Sequence, residues 1–288
     1  MKILEAIERC SSILESKRVE APRLSAELLI GYVTSLIRSQ VLADSQRVLT
    51  SSEQSRLDAL IQRRSNHEPI PYITGAIEFY SIPLSIRNGV FIPRPETETL
   101  VDAALEIAQN LDDPPKIVDL CTGSGCILVA LALNLDEGEF WGTDASNLAI
   151  QVSGVNVRRH ELQHCVELRE GPLFTPLRSA LASGFDILVS NPPYIKSSDI
   201  PKLANQIKDF EPVLALDGGR DGMTLIRSLL DGAPPILKPG GYILLEAEPN
   251  LMEPIRIEAR RRHFEDFVIH KDASGKDRVA QFRLAGGN

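Results

Sequence analysis

The chain has 288 residues, with 31 basic against 39 acidic side chains and a formal charge of −8; at 43% hydrophobic and 24% charged residues it is not a mainly disordered protein. A chain of ~300 residues buries about 75% of its unfolded surface and needs no disulfide or metal staple. No run approaches the ~20 apolar residues of a membrane helix, Glu5 and Glu8 interrupt the stretch a signal peptide requires, and four scattered cysteines (Cys10, Cys121, Cys126, Cys165) make no disulfide framework, so a cytoplasmic protein without membrane association is expected.

Residues 1–72 hold one of the 19 glycines, Gly31, and no Phe or Trp, with 10 basic against 9 acidic residues. Ile3, Ile7, Cys10 and Leu14 recur at helical spacing. Pro22 suits the first turn of a second helix, whose apolar stripe is expected to be Leu24, Leu28, Leu29 and Val33. Thr50-x-x-Glu53 reads as a capping box before Leu57, Leu60 and Ile61. Pro69 and Pro71 end the helical pattern. The division expected is a helical domain over 1–72, a β-hairpin linker over 73–92 and a larger domain over 93–288. Within the linker, Ile77–Tyr80 and Pro83–Ile86 are β-prone, and Asn88-Gly89 is a turn before Val90-Phe91-Ile92. A helix follows from Thr97, with Leu100, Ala104, Ile107 and Leu111 on one side.

Beyond Pro114-Pro115 strands alternate with helices. The strands expected are Lys116–Leu120, Glu139–Thr143, Val166–Glu170, Phe185–Ser190, Tyr242–Ala247, Phe267–His270 and Val279–Leu284. The helices are Ile127–Asn134, Asn147–Arg159, Met223–Ala233 and Met252–His263. The fold class is therefore α/β, with a seven-stranded, mainly parallel sheet and a small N-terminal helical domain.

Three motifs follow strand ends, where such folds bind ligands. The first is Asp119-Leu120-Cys121-Thr122-Gly123-Ser124-Gly125, whose glycines admit close approach of a ligand and whose following helix offers free N–H groups. The second is Asp144, an acid able to accept both hydroxyls of a ribose. The dinucleotide pattern G-x-G-x-x-G is broken by Leu128, and no phosphate-loop lysine is present. A nucleoside cofactor without phosphate, S-adenosylmethionine, fits this loop. The third is Ser190-Asn191-Pro192-Pro193-Tyr194, where two prolines stiffen the backbone, Asn191 supplies an amide, and Tyr194 supplies a flat wall for a planar –C(=O)NH2 or exocyclic amine.

Asp-x-x-x-Gly-x-Gly together with Asn-Pro-Pro-Tyr resembles the class I methyltransferases that modify amide or amino nitrogen. Further segments are similar to the peptide-chain release factor glutamine methyltransferases (the HemK type): Tyr72-Ile73-x-Gly75, Glu78-Phe79-Tyr80, Phe91-Ile92-Pro93-Arg94-Pro95-Glu96-Thr97-Glu98, Asp209-Phe210-Glu211-Pro212, Ala215–Gly219, Asp221-Gly222, Asp272 and Gly275–Arg278. The resemblance spans about residues 70–284. It implies a Rossmann-like methyltransferase sheet and a substrate-docking role for the helical domain. It further implies S-adenosyl-L-methionine as cofactor, with S-adenosyl-L-homocysteine as product. The methyl acceptor would be the glutamine of a Gly-Gly-Gln motif in class I release factors, so that translation termination is modulated. A cytoplasmic monomer with no direct nucleic-acid binding and no metal is expected.

By the same resemblance Asp119, Cys121, Thr122, Gly123, Ser124 and Gly125 hold the methionine part of the cofactor, Asp144 the ribose, and Leu173 or Phe174 the adenine. Asn191, Pro192 and Tyr194 act on the glutamine with Pro193 beside them, Asn191 also meets the cofactor, and Arg94, Glu96 and Thr97 form a wall. Two positions depart from the family pattern. Cys121 stands where Gly is frequent, and Glu246-Ala247-Glu248-Pro249-Asn250 lacks the Gly and Gln expected at the far edge of the pocket. The alternatives are a ribosomal-protein glutamine methyltransferase, an adenine-N(6) DNA methyltransferase, and a non-catalytic adaptor that keeps the fold. The acidic charge lies in residues 73–288, at 21 basic against 30 acidic, which favours a protein acceptor over DNA. His160-Glu161-Leu162-Gln163-His164 matches a zinc-peptidase pattern but is expected at a helix end. Cys121 with Cys126 and Asp217–Asp221 are expected to be structural.

Overall fold

The computed structural model describes residues 1–177 and 184–286. They form two compact units: Met1–Ala76 with Ala204–Phe210, and Ile77–Leu203 with the chain from Glu211 onward.

The first unit is helical: α1 (Ile3–Ser16), α2 (Pro22–Thr34), α3 (Arg38–Ala43), α4 (Ser51–Ser65) and α5 (Ile70–Thr74). Ile3, Ile7, Cys10 and Leu14 of α1 pack with Leu29, Ile30 and Val33 of α2 and Leu57 and Ile61 of α4. Thr50 caps α4 as expected: its hydroxyl accepts from Glu53 N at 3.2 Å while its own N–H donates to Glu53 Oε2 at 2.8 Å. Two expectations are corrected. Leu24 and Leu28 are exposed (41% and 38%), because they share an i, i+4 line with exposed Tyr32 while Ala26, Leu29, Ile30 and Val33 face the core. α4 already ends at Ser65, with Asn66 as its C-cap and His67 left-handed at φ 66°, and Pro69 and Pro71 instead start α5, where a proline in the first turn costs no hydrogen bond.

The second unit opens with the hairpin β1 (Ala76–Phe79) and β2 (Ile82–Ser85), whose Phe79 and Leu84 enter a core shared with the sheet. Asn88-Gly89 turns as expected, but Val90–Ile92 forms no strand. Then come α6 (Glu98–Ala108), β3 (Lys116–Leu120), α7 (Cys126–Asn134), β4 (Glu139–Asp144), α8 (Asn147–Arg159), β5 (Val166–Glu170) and β6 (Phe185–Ser190). A short helix, α9 (Asn205–Lys208), belongs to the first unit; there Gln206 Oε1 accepts from buried Arg64 at 3.2 Å and Gln206 Nε2 donates to Glu20 at 3.1 Å. The chain closes with α10 (Thr224–Gly232), β7 (Leu237–Glu246), α11 (Met252–Arg260), β8 (Phe264–Lys271) and β9 (Asp277–Leu284).

The sheet runs β5-β4-β3-β6-β7-β9-β8, with β9 antiparallel to both neighbours and the other pairs parallel. Its strands read as continuous apolar runs because both faces are covered. On one face Ile117, Ile187, Val189 and Leu244 pack with α6 and α7; on the other Val118, Leu120, Leu188, Ile243 and Leu245 pack with α10 and α11. From β3 the chain winds outward to β5 and then returns to β6 beside β3. That reversal opens a crevice at the carboxyl ends of β3 and β6.

Candidate active site

Register brings the motifs together. Leu120 of β3 pairs with Ser190 of β6, and Thr143 of β4 lies on the other side of Leu120. The Gly-rich turn, Asp144 and the Asn-Pro-Pro-Tyr loop therefore leave adjacent strand ends. Ser190 Oγ donates to the Leu120 carbonyl at 2.5 Å, tying two of the ends.

The turn after β3 is built from left-handed residues: Cys121 at φ 65°, Gly123 at 58° and Gly125 at 78°. A side chain at Cys121 costs on the order of 1 kcal/mol there, where a glycine would carry no such strain. Asp119 is fully buried; its Oδ2 accepts from Thr122 Oγ1 at 2.7 Å, while Oδ1 has no hydrogen-bond partner. Burial pushes its carboxyl up to about 8. The Cys121 thiol is raised by burial beside Asp144 and Asp119, and Cys126 is pushed up to about 12, so neither is a thiolate nucleophile.

Asp144 is oriented before any ligand arrives. Its Oδ2 accepts from Gly123 N at 2.9 Å and its Oδ1 from Ser146 N at 2.8 Å. Burial raises its pKa and these two N–H groups oppose the rise. Each oxygen keeps a second lone pair for a hydroxyl.

Around the Asn-Pro-Pro-Tyr loop, Pro192 and Pro193 are buried. Asn191 Nδ2 donates to Thr97 Oγ1 at 3.1 Å, which leaves Oδ1 as the accepting end of the amide. Tyr194 OH donates to Glu246 Oε1 at 3.1 Å. The segment after α9 closes on this loop: Ile195 N donates to Leu216 O and Gly218 N to Ile195 O. A Cβ at Gly218 would lie 2.6 Å from Tyr194 Cα, and one at Gly222 2.5 Å from Tyr194 O, so only glycine permits the approach. Asp217 serves this closure by accepting from Ser197 Oγ and Gly219 N.

The remaining predicted residues are placed differently. Arg94 is ion-paired with buried Glu211, lies 4.8 Å from the Phe91 ring centroid, and so links its segment to the closing one; Glu211 also accepts from Ile92 N. Thr97 is buried and bonded to Asn191, whereas Glu96 is exposed. The Leu173 carbonyl accepts from Thr143 Oγ1 at the end of β4. Phe174 packs instead against Gly232 of α10, whose Cβ would meet its ring at 2.2 Å. The zinc-peptidase match dissolves: α8 stops at Arg159, Glu161 is left-handed at φ 59°, and His160 and His164 bond to the carbonyls of Pro83 and Glu161.

Two residues that matter, Gly142 and Asn156, escape sequence reading, and a third, Glu246, is named there only as a departure from the family pattern, without its burial. Gly142 of β4 lets α7 close over the strand, since a Cβ would sit 2.5 Å from Leu128 Cδ1. Asn156 of α8, fully buried, bonds Ser85 and the Ser124 carbonyl. Glu246 is 1% exposed at the end of β7. An isolated Asn in a helix or an acid after an apolar strand carries no distinctive spacing.

The cradle fits S-adenosylmethionine. A buried carboxylate oxygen without a partner, a Gly123 with open space where a Cβ would be, and an oriented acid at the next strand end suit an amino acid joined to a ribose. Fold and site together define a class I S-adenosylmethionine-dependent methyltransferase. The PrmC N-terminal domain model matches residues 5–75 and the methyltransferase small domain model residues 89–210. The release factor glutamine methyltransferase of Koribacter versatilis is 37% identical over 97% of both chains, and that of Geobacter sulfurreducens is 34% identical over 98% of this chain and 96% of its own. The fold is similar to the T. thermophilus 16S rRNA N2 G1207 methyltransferase in complex with AdoMet and guanosine (TM-score 0.51, 17% identity, 72% of this chain and 49% of that one). The chain belongs to the release factor glutamine methyltransferase family.

Proposed function

We propose that this protein methylates the side-chain amide nitrogen of the glutamine in the Gly-Gly-Gln motif of class I release factors. The observation that carries the reading is the fixed orientation of Asn191, whose Nδ2 is committed to Thr97 and whose Oδ1 is left to accept. An amide nitrogen is a weak nucleophile because its lone pair is delocalised into the carbonyl. With Asn191 Oδ1 and the Pro192 carbonyl accepting its two N–H groups, and Tyr194 flanking the plane, the amide is held and its nitrogen presented to the crevice above Cys121–Gly125. S-adenosylmethionine, when bound, supplies an electrophilic methyl group and leaves as S-adenosylhomocysteine. Such alignment of two reactants contributes about 7–11 kcal/mol to a rate enhancement. The nitrogen sheds its extra proton to water after transfer, so no dedicated base is required. The protein acts in the cytoplasm as a monomer on a protein acceptor; its charge of −8 supports a protein over a nucleic acid. Described helices include none long and apolar enough to cross a membrane.

The test is transfer of labelled methyl from the cofactor to a purified release factor, a ribosomal protein and DNA in separate reactions, with Asn191→Ala alongside the native chain. Label on the release factor that requires both native Asn191 and the factor's Gly-Gly-Gln glutamine is expected. Full turnover by Asn191→Ala, or label only on the other acceptors, refutes it.

A further inference from the structure

We infer that Val213 and Leu214 form an apolar step beside the Asn-Pro-Pro-Tyr loop that grips the acceptor protein's chain next to its methyl-accepting glutamine. The inference rests on the reading of the acceptor as a protein glutamine held at Asn191, and adds the surface that holds the chain around it.

The two side chains sit on a single 3-10 turn, Val213–Ala215, in the segment that closes on the Asn-Pro-Pro-Tyr loop. Both flanks of this turn are pinned to walls of the site. Before it, Glu211 is buried, ion-paired with Arg94, and accepts from Ile92 N at 3.2 Å. After it, the Leu216 carbonyl accepts from Ile195 N at 3.0 Å and Gly218 N donates to Ile195 O at 2.8 Å. Leu214 is two Cα steps from Leu216, so it lies within about 8 Å of the residue bonded to the chain just past Tyr194. The turn also closes on itself: Ala215 N donates to Pro212 O at 2.9 Å, and Leu216 N and Asp217 N donate to Val213 O at 3.0 and 2.9 Å. Its side chains are therefore held outward by fixed backbone.

Val213 is 54% exposed and Leu214 64%, the highest values among the large apolar side chains described in the second unit, where Leu133, Ile257, Val268 and Ile269 lie between 36% and 45%. Scattered single apolar side chains are ordinary on a surface. An adjacent pair on a braced turn beside the substrate loop is a contact without its partner. Charge selects the occupant. Pro212-Val213-Leu214-Ala215-Leu216 carries no charged residue, so the turn itself offers no lysine or arginine to a phosphate. It suits a polypeptide with apolar side chains. A glutamine whose amide reaches Asn191 leaves its own backbone outside the crevice, and each further residue of extended chain travels about 3.3–3.6 Å, so a few residues reach the turn. The two glycines of a Gly-Gly-Gln motif have no side chains to grip. Recognition of the acceptor must then draw on residues beyond them, and Val213 and Leu214 are placed to meet these.

Steady-state transfer to a purified release factor, calorimetry with S-adenosylmethionine, thermal melting and sedimentation are compared across variants. These are Val213→Ser with Leu214→Ser, Leu214→Ser alone, Leu214→Met, and Ile257→Ser as an exposed apolar control elsewhere in the same unit. The double variant should raise KM for the factor by about tenfold or more, the loss of two apolar contacts, with kcat and cofactor affinity within about twofold. Its melting temperature should not fall, because neither side chain is in the core. Leu214→Ser should carry part of the rise. Leu214→Met keeps apolar area and should hold KM near the native value, and Ile257→Ser should leave it unchanged. An unchanged KM in the double variant, or an equal rise in Ile257→Ser, overturns the inference. So does a native chain that sediments as a dimer beside a monomeric double variant, since a second copy would then cover the turn. If the double variant does not fold, equal KM values for Leu214→Ser and Leu214→Met overturn it. Absence of transfer to the release factor by the native chain would sink the underlying reading of the acceptor, whereas native transfer with a KM indifferent to both positions would sink this inference alone.

Discussion

Replacing Asn156 by alanine removes three hydrogen bonds from a fully buried position. Its Oδ1 accepts from Ser85 N at 2.7 Å, and its Nδ2 donates to Ser85 O at 3.0 Å and to Ser124 O at 2.8 Å. At about 1 kcal/mol net for each bond the loss is roughly 3 kcal/mol, and stranding the Ser124 carbonyl, which is buried with its residue, raises it toward about 5 kcal/mol. That is a large part of the ~5–15 kcal/mol by which a domain is stable. The single tryptophan, Trp141, lies on β4, so its fluorescence during urea unfolding reports the unit that contains Asn156. The midpoint should fall with the slope unchanged. Because Ser124 belongs to the Gly-rich turn, affinity for S-adenosylmethionine should fall in the fraction that remains folded. Asn156→Asp keeps the acceptor for Ser85 N but turns its second oxygen toward two carbonyls, and should be at least as harmful. A shift of less than about 1 kcal/mol in the alanine variant would refute the account of the bonds. Lost stability with unchanged cofactor affinity would refute the link to the turn.

Asp144→Ala should weaken cofactor binding by about tenfold to a hundredfold in calorimetry, the loss of charge-assisted bonds worth about 1.5–3 kcal/mol, and unchanged affinity would remove Asp144 from the ribose site. Asp119 predicts a pH dependence of the cofactor-free protein. Its carboxyl is pushed from 3.8 to about 8, so the folded state keeps a proton that the unfolded state has released. The resulting stability is complete below pH ~4 and is lost as pH rises through about 8. Asp119→Asn should therefore show a flatter decline in melting temperature between pH 6 and 9 than the native chain; parallel curves would mean that Asp119 does not titrate there.

Much was legible because the relevant signals are local. Thr50 and Glu53 form their capping box within one turn of chain, and Lys116–Leu120 and Phe185–Ser190 announce themselves as apolar runs between helices. The tight turn after β3 is signalled by Gly123 and Gly125, and the stiff Asn-Pro-Pro-Tyr loop by its prolines, whereas the left-handed backbone at Cys121 has no marker in the sequence. Other features depend on partners distant in sequence. Leu24 and Leu28 match a helical stripe as well as Leu29 does, and only the packing of α1 and α4 against α2 decides which side is covered. The segment Ala204–Phe210 has no marker that assigns it to the helical unit; Arg64 and Glu20 provide the partners that hold Gln206 there.

By itself the sequence determined the fold class, the strand-end motifs and the chemistry they suit, since periodicity, prolines, glycines and acids act through neighbouring backbone. Only the tertiary structure decided that Glu246 stands beside Asn191, that Arg94 is engaged by Glu211, and that Asn156 braces the Gly-rich turn. These depend on strand register and side-chain pairing across 32 to 117 residues of chain, where a hydrogen bond is chosen by what the whole sheet brings within reach.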